Sequence, residues 1–161
     1  MTGRSFTEIL DAAAGDIPPP LYYLVLRAWS PLAGTSEFAL RFPSMAFGLL
    51  LVALLYVLGA RLFSPRVGVV TSFLGALSPS LVYYSQEARM YSLVALAAAL
   101  SIYWFWRLLC GEGGWAGMGY LIVSVIGLYT QYSFLAVLLV ENLAFLLWRW
   151  RLGRHWRLWG Q

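Results

Sequence analysis

Two long apolar runs, Val67 to Val82 and Leu93 to Leu109, enclose the polar island Tyr83-Tyr84-Ser85-Gln86-Glu87-Ala88-Arg89-Met90-Tyr91. Runs of this kind approach the ~20 apolar residues that an α-helix needs to cross a bilayer. As membrane helices they place the island at a membrane face, with its one carboxylate and one guanidinium where lipid tails end. A turn alone asks only for residues such as Gly, Asn or Ser. Tyr83, Tyr84 and Tyr91 around a Gln-Glu-Ala-Arg core exceed that need. The island reads either as one wall of a polar site or as a tight turn whose charges face water.

The rest of the chain agrees with a membrane setting. Charged residues make up 11% and hydrophobic ones 61%, whereas a soluble domain carries about 25% charged residues. The fold class is all-α: a polytopic membrane helix bundle with about five transmembrane helices and short interfacial helices at the N-terminus. The net charge of +4 comes from arginine alone, since lysine is absent. The arginines sit at the ends of apolar runs, a pattern that sets orientation and argues against a nucleic-acid partner. The single Cys110 excludes an internal disulfide, and Met1 to Asp16 has no basic-then-apolar signal peptide pattern.

In chain order, Phe6, Ile9, Leu10 and Ala13 recur at helical spacing and predict a short surface helix. Ile17-Pro18-Pro19-Pro20 stops it, and Pro20 suits the first turn of the next helix. That helix, Leu21 to Leu32, is too short to span and reads as interfacial or re-entrant. Gly34-Thr35-Ser36-Glu37 supplies a break and an N-cap. Five spans are expected at Phe38 to Phe63, Val67 to Val82, Met90 to Leu109, Trp115 to Tyr129 and Phe134 to Trp148. Ser78-Pro79-Ser80 loosens the end of the second. The chain divides into an outer-loop segment (1–33), a transmembrane bundle (34–150) and a basic cytoplasmic tail (151–161).

Alternating faces gather seven arginines (Arg61, Arg66, Arg107, Arg149, Arg151, Arg154, Arg157) against four (Arg4, Arg27, Arg41, Arg89). The first group marks the cytoplasmic side of the cell membrane. The outer face then collects Asp16, Tyr22, Tyr23, Glu37, Arg41, Gln86, Glu87, Arg89, Tyr91, Tyr129, Gln131 and Tyr132. Were Tyr84 to Tyr91 helical, Tyr84, Glu87 and Tyr91 would share one stripe. Arginine at a membrane rim fits a lipid-linked phosphate, because its fork of donors matches phosphate oxygens. A nearby carboxylate can orient a sugar hydroxyl or accept its proton. The aromatics stack on sugar or prenyl groups, or form the belt common at membrane interfaces. Glu37, one turn before Arg41, is that arginine's local partner, with a phosphate or Glu87 as the alternative. Glu141, beside Asn142 in the last span, has to be protonated or paired. His155 sits in the basic tail, and no metal-ligand cluster, phosphate-binding glycine loop or nucleophile triad is visible.

Asp-Ile-Pro-Pro-Pro-Leu-Tyr-Tyr (Asp16 to Tyr23), Ser-Glu-Phe-Ala-Leu-Arg-Phe-Pro-Ser (Ser36 to Ser44), Tyr-Ser-Gln-Glu-Ala-Arg-Met-Tyr (Tyr84 to Tyr91) and Leu-Tyr-Thr-Gln-Tyr (Leu128 to Tyr132) occur in that order. Together they resemble the N-terminal half of bacterial glycosyltransferases of the dolichyl-phosphate-mannose protein mannosyltransferase-like family, which includes relatives of the aminoarabinose transferase of lipid A. The resemblance implies the C-type glycosyltransferase fold. It also implies transfer of a sugar from a polyprenyl-phosphate donor to an extracytoplasmic acceptor, with inversion and without a cofactor. By carry-over, Asp16, Tyr22, Arg41, Gln86, Glu87, Arg89, Tyr91 and Gln131 bind substrate. Arg41 and Arg89 shape the phosphate end, and Glu87 faces the donor sugar or acceptor.

Pro18 and Gln131 stand where relatives carry histidines. The family's first transmembrane helix and its Asp-Glu-type acidic motif are not seen before Asp16, so a fragment that does not catalyse transfer alone is expected. Glu87 is then the best remaining acid. The alternative is a non-catalytic membrane protein that binds a lipid phosphate or packs in a larger complex.

Overall fold

The computed structural model describes residues 19–158, the side chains at 148 and 150–158 left aside. The surface helix expected before Asp16, Asp16 itself and Pro18 lie outside the described residues, as does the side chain of His155. All regular structure among the described residues is helical: α1 (Leu21–Ala33), α2 (Glu37–Leu62), α3 (Pro65–Leu77), α4 (Pro79–Gln86), α5 (Tyr91–Leu109), α6 (Trp115–Thr130) and α7 (Phe134–Leu158).

Local chemistry sets the boundaries. Pro20 precedes α1, and its carbonyl accepts the first intrahelical bond from Leu24 N–H at 3.0 Å. Gly34 ends α1 at φ +83°, a left-handed backbone open to glycine. Ser36 caps α2, accepting from Ala39 N–H at 3.2 Å, and Ser64 caps α3, with Pro65 in its first turn. Before Pro79 the backbone of Ser78 is pushed to an extended ψ of 118°. The expected second span therefore becomes two helices, α3 and α4, bent by 56°. The fifth expected span also differs, since α7 continues past Trp148 to Leu158.

α2 and α5 are long and apolar enough to cross a membrane, with mean hydropathies of 2.1 and 1.6, and α3 with α4 makes a third if the bent pair is one span. Trp115–Thr130 and Phe134–Leu147 are shorter apolar helices. Only 22% of the α2 window and 33% of the α5 window are buried inside the protein. Leu49, Val70, Phe73, Leu74, Leu121, Leu139 and Leu146 all point outward. Water would penalise that much apolar surface by roughly 25 cal/mol per Å², whereas hydrocarbon accepts it. The molecule is a membrane helix bundle.

α5 is its centre. On one side Leu96 and Ala99 pack with Leu51 and Leu58 of α2. On the other, Ala97 meets Val123 of α6 and Phe134 of α7. Hydrocarbon gives little hydrophobic reward for helix contact, so close approach and polar pairs matter more. At the α2–α3 crossing, a Cβ on Gly68 would lie 2.6 Å from the Tyr56 carbonyl oxygen. Farther along, Glu141 of α7 is buried; the Ser101 hydroxyl lies 2.8 Å from both its carboxylate oxygens and the Tyr120 hydroxyl donates to Oε2 at 2.9 Å. Glu141 thereby joins α5, α6 and α7 and has the partners that an intramembrane acid requires.

α1 docks across the start of α2 through a consequence of Pro43. Proline has no N–H, so the Ala39 carbonyl, four residues earlier, loses its intrahelical donor. The Trp29 indole N–H fills the gap, donating to Ala39 O at 2.8 Å. The same ring stacks on Phe42 at 5.2 Å with planes 10° apart.

Trp29→Phe therefore leaves a buried carbonyl unpaired, at a cost of about 1–3 kcal/mol. In a Pro43→Ala background the carbonyl regains an intrahelical donor, and Trp29→Phe costs less. Thermal unfolding of the four proteins of this double-mutant cycle in detergent checks it, with a coupling of at least ~0.5 kcal/mol expected.

Candidate functional site

The site forms where α1, the opening turns of α2, and the α4–α5 connection meet. Ser44 is fully buried there, one turn beyond Arg41 on α2. Its hydroxyl donates to the Arg89 carbonyl at 3.2 Å. That uses its one proton, so the Tyr22 hydroxyl, 2.6 Å away, is the donor in their mutual bond. The relay Tyr22 to Ser44 to Arg89 O links three segments separated by 22 and 45 residues. Burial pushes the Tyr22 hydroxyl above its ordinary pKa, opposed by its bond to Ser44.

The island itself is held from both sides. α4 packs so closely on α2 that a Cβ on Gly48 would come 2.8 Å from Ser85 Cβ. The Ser92 hydroxyl, at the start of α5, donates to the Tyr84 carbonyl at 3.0 Å. The Tyr84 and Tyr91 rings meet at 4.6 Å across the turn. Residues 87–90 are not helical, and Glu87 has an extended backbone with ψ 139°. The single stripe of Tyr84, Glu87 and Tyr91 that a continuous helix would give is therefore absent. Glu87 instead accepts a 2.9 Å bond from Tyr83. Arg89 is held above its ordinary pKa first by a hydrogen bond with Tyr91, then by the charge of Glu87, with a smaller contribution from Tyr23.

The sequence-derived residues are thus placed unequally. Tyr22, Glu87, Arg89 and Tyr91 lie in one connected cluster, and Gln86 is exposed at its edge, the last residue of α4. Arg41 shares the same end of α2, but its guanidinium is 2.5 Å from Glu37, the local partner. Gln131 is half-buried at the end of α6, on which α1 also packs, while Tyr129 and Tyr132 are exposed. Asp16 lies outside the described residues. Ser44 was missing from the sequence-derived set. Its signal was faint: a small polar residue directly after a proline, one turn from an arginine, in an otherwise apolar helix. Arg27 was also passed over; its Nη1 is buried with no hydrogen-bond partner.

At the opposite end Arg107 pairs with Glu112 and lies 5.0 Å above the Trp104 ring. Among the described residues, no group of three His, Cys, Asp or Glu is placed to hold a metal ion.

A helix bundle with apolar outward faces and a tyrosine- and arginine-lined polar cluster at one end defines a membrane protein. The family model for dolichyl-phosphate-mannose-protein mannosyltransferase matches residues 18–159, and the chain belongs to that family of membrane glycosyltransferases. No curated protein and no solved structure matches it.

Ser44→Val removes the middle of the relay and strands both Tyr22 Oη and the Arg89 carbonyl, while Tyr22→Phe leaves the Ser44–Arg89 bond in place. Thermal unfolding in detergent is expected to show the valine variant destabilised by about 1–3 kcal/mol, and Tyr22→Phe by about half as much.

Proposed function

We propose that the protein is part of an integral membrane glycosyltransferase that takes a sugar from a polyprenyl-phosphate donor and passes it to an extracytoplasmic acceptor. The convergence of Tyr22, Ser44 and the Arg89 segment carries the reading. It builds, at one end of the bundle, a cluster with an arginine under the charge of Glu87 and a half-buried carboxylate bonded by the Tyr83 hydroxyl. In this assignment Arg89, Arg41 and Tyr91 border the phosphate. Glu87 faces the sugar or acceptor, where it orients a hydroxyl or takes its proton. Asp16, Tyr22, Gln86 and Gln131 complete the surroundings, and membrane lipid covers the outward faces of the helices.

Orientation follows from charge. Arg61, Arg66 and Arg107 fall at the end away from the cluster, and positive charge favours the cytoplasmic side. The proposed site therefore opens extracytoplasmically, in a multi-pass protein of the cell membrane.

A second reading, a non-catalytic binder of lipid phosphate, draws on the engagement of the acids at this end. Glu37 is held by Arg41 and Glu87 by Tyr83. Sugar transfer from a polyprenyl-phosphate-sugar, measured in membranes containing the natural full-length protein, separates the two. The enzyme reading expects Glu87→Gln and Arg89→Ala to lower transfer at least ~100-fold at unchanged expression and insertion, the scale of losing acid–base or electrostatic assistance. Donor binding without transfer by the unaltered protein selects the second reading.

A further inference from the structure

Three arginines of the described residues belong to this end of the bundle, and their electrostatic situations differ. Arg41 is neutralised by Glu37. Arg89 is exposed, bonded to Tyr91 and under the charge of Glu87. Arg27, midway along α1, is half-buried; its Nη1 is enclosed without a hydrogen-bond partner, and no acid among the described residues pairs with it. An arginine that merely snorkels keeps its head in interfacial water. Arg27 does not, because one of its donor nitrogens is turned inward. Leaving a charged donor unmet is costly, by more than the ~1–3 kcal/mol of a neutral group.

Its surroundings narrow what could meet it. Leu24, Val25, Leu26 and Ala28 flank it in sequence and offer no acceptor side chain. Ser30, one turn on, sends its hydroxyl back to the Arg27 carbonyl at 3.3 Å and leaves the guanidinium alone. Tyr23, one turn earlier on the same stripe, lies close enough to Arg89 to contribute to that residue's field. The Tyr22–Ser44–Arg89 relay holds α1 against the island little more than one turn before Arg27, so Arg27 and Arg89 belong to the same end of the bundle. A planar fork with an unfilled donor, at the end of the bundle that also carries Arg89, fits an anion with several acceptor oxygens, above all a phosphate.

We infer that Arg27 is a principal phosphate-holding residue of the site, receiving the phosphate of a lipid-linked ligand between α1 and the island. The inference rests on the lipid-phosphate reading above and moves the anchoring charge from Arg41 to a residue that family likeness did not single out. Arg41, already paired, is left a lesser role.

Native mass spectrometry of the natural full-length protein in detergent tests it, with a polyprenyl phosphate, the matching uncharged polyprenol, phosphatidylglycerol and inorganic phosphate as separate probes. The unaltered protein is expected to retain the polyprenyl phosphate over the polyprenol. Arg27→Gln is expected to weaken that retention about 10- to 100-fold, the scale of a lost charge-assisted hydrogen bond. Arg27→Lys falls between, keeping charge but losing the fork, while Arg61→Gln, at the opposite end of α2, stays near the unaltered protein. Polyprenol binding is the same in all four. Equal retention of the polyprenyl phosphate by Arg27→Gln, even with lowered thermal stability, overturns the inference and leaves Arg27 a packing role. Equally tight binding of phosphatidylglycerol or inorganic phosphate also overturns it. If the unaltered protein does not prefer the phosphate to the polyprenol, the lipid-phosphate reading itself fails first.

Discussion

The absence of one N–H, at Pro43, organises the polar end of this bundle. A proline inside a membrane helix frees a carbonyl, and hydrocarbon offers nothing to bond it. Here α1 supplies the donor from Trp29. Once α1 is fixed across α2 by that bond and by the Trp29–Phe42 stack, Tyr22 comes to lie on Ser44. Ser44 in turn holds the backbone of the island. A short helix that cannot span, a long helix that can, and a distant loop are assembled by a handful of directed bonds.

The same economy runs through the rest of the structure. With lipid on the outside, apolar surface alone does not dictate which helix meets which. Contact is specified by glycines that permit close backbone approach, at Gly68 against Tyr56 and at Gly48 against Ser85. It is also specified by a buried polar junction at Glu141, Ser101 and Tyr120. The Gly68 crossing and the Glu141 junction lie away from the island and keep the scaffold in register, while the Gly48–Ser85 approach seats the island itself on α2.

The helical class, the start of α2 at a serine cap, the shortness of α1 and the break at Pro79 were all legible from the amino acids, because each follows from local chemistry. The island was legible too, as charges and tyrosines where apolar runs end. Its internal geometry was not. A helical stripe through Glu87 assumed continuous helix, and the non-helical turn at 87–90 turns Glu87 toward Tyr83 instead. Arg41 had Glu37 as its expected local partner and a phosphate or Glu87 as the alternative, and the i,i+4 pair with Glu37 is the one that forms. Ser44 and Arg27 were passed over. Their significance lies in what they meet, or fail to meet, across α1 and α2, and no spacing along the chain encodes that. The run of α7 beyond Trp148 likewise meets no proline before Leu158, and Gly153, a residue that often ends a helix, does not end this one.

Everything above depends on the ends of α1, α4 and α6 lying at the same membrane face, with the loop at Gly113 on the other. Cysteine labelling of the natural full-length protein with a membrane-impermeant maleimide reads this directly, in a Cys110→Ser background because Cys110 is exposed. Single cysteines at Leu32, Gln86 and Tyr132 are predicted to label in intact cells, and one at Gly113 only after permeabilisation. Labelling of Gln86 and Tyr132 from opposite sides would contradict the convergence on which the site is built.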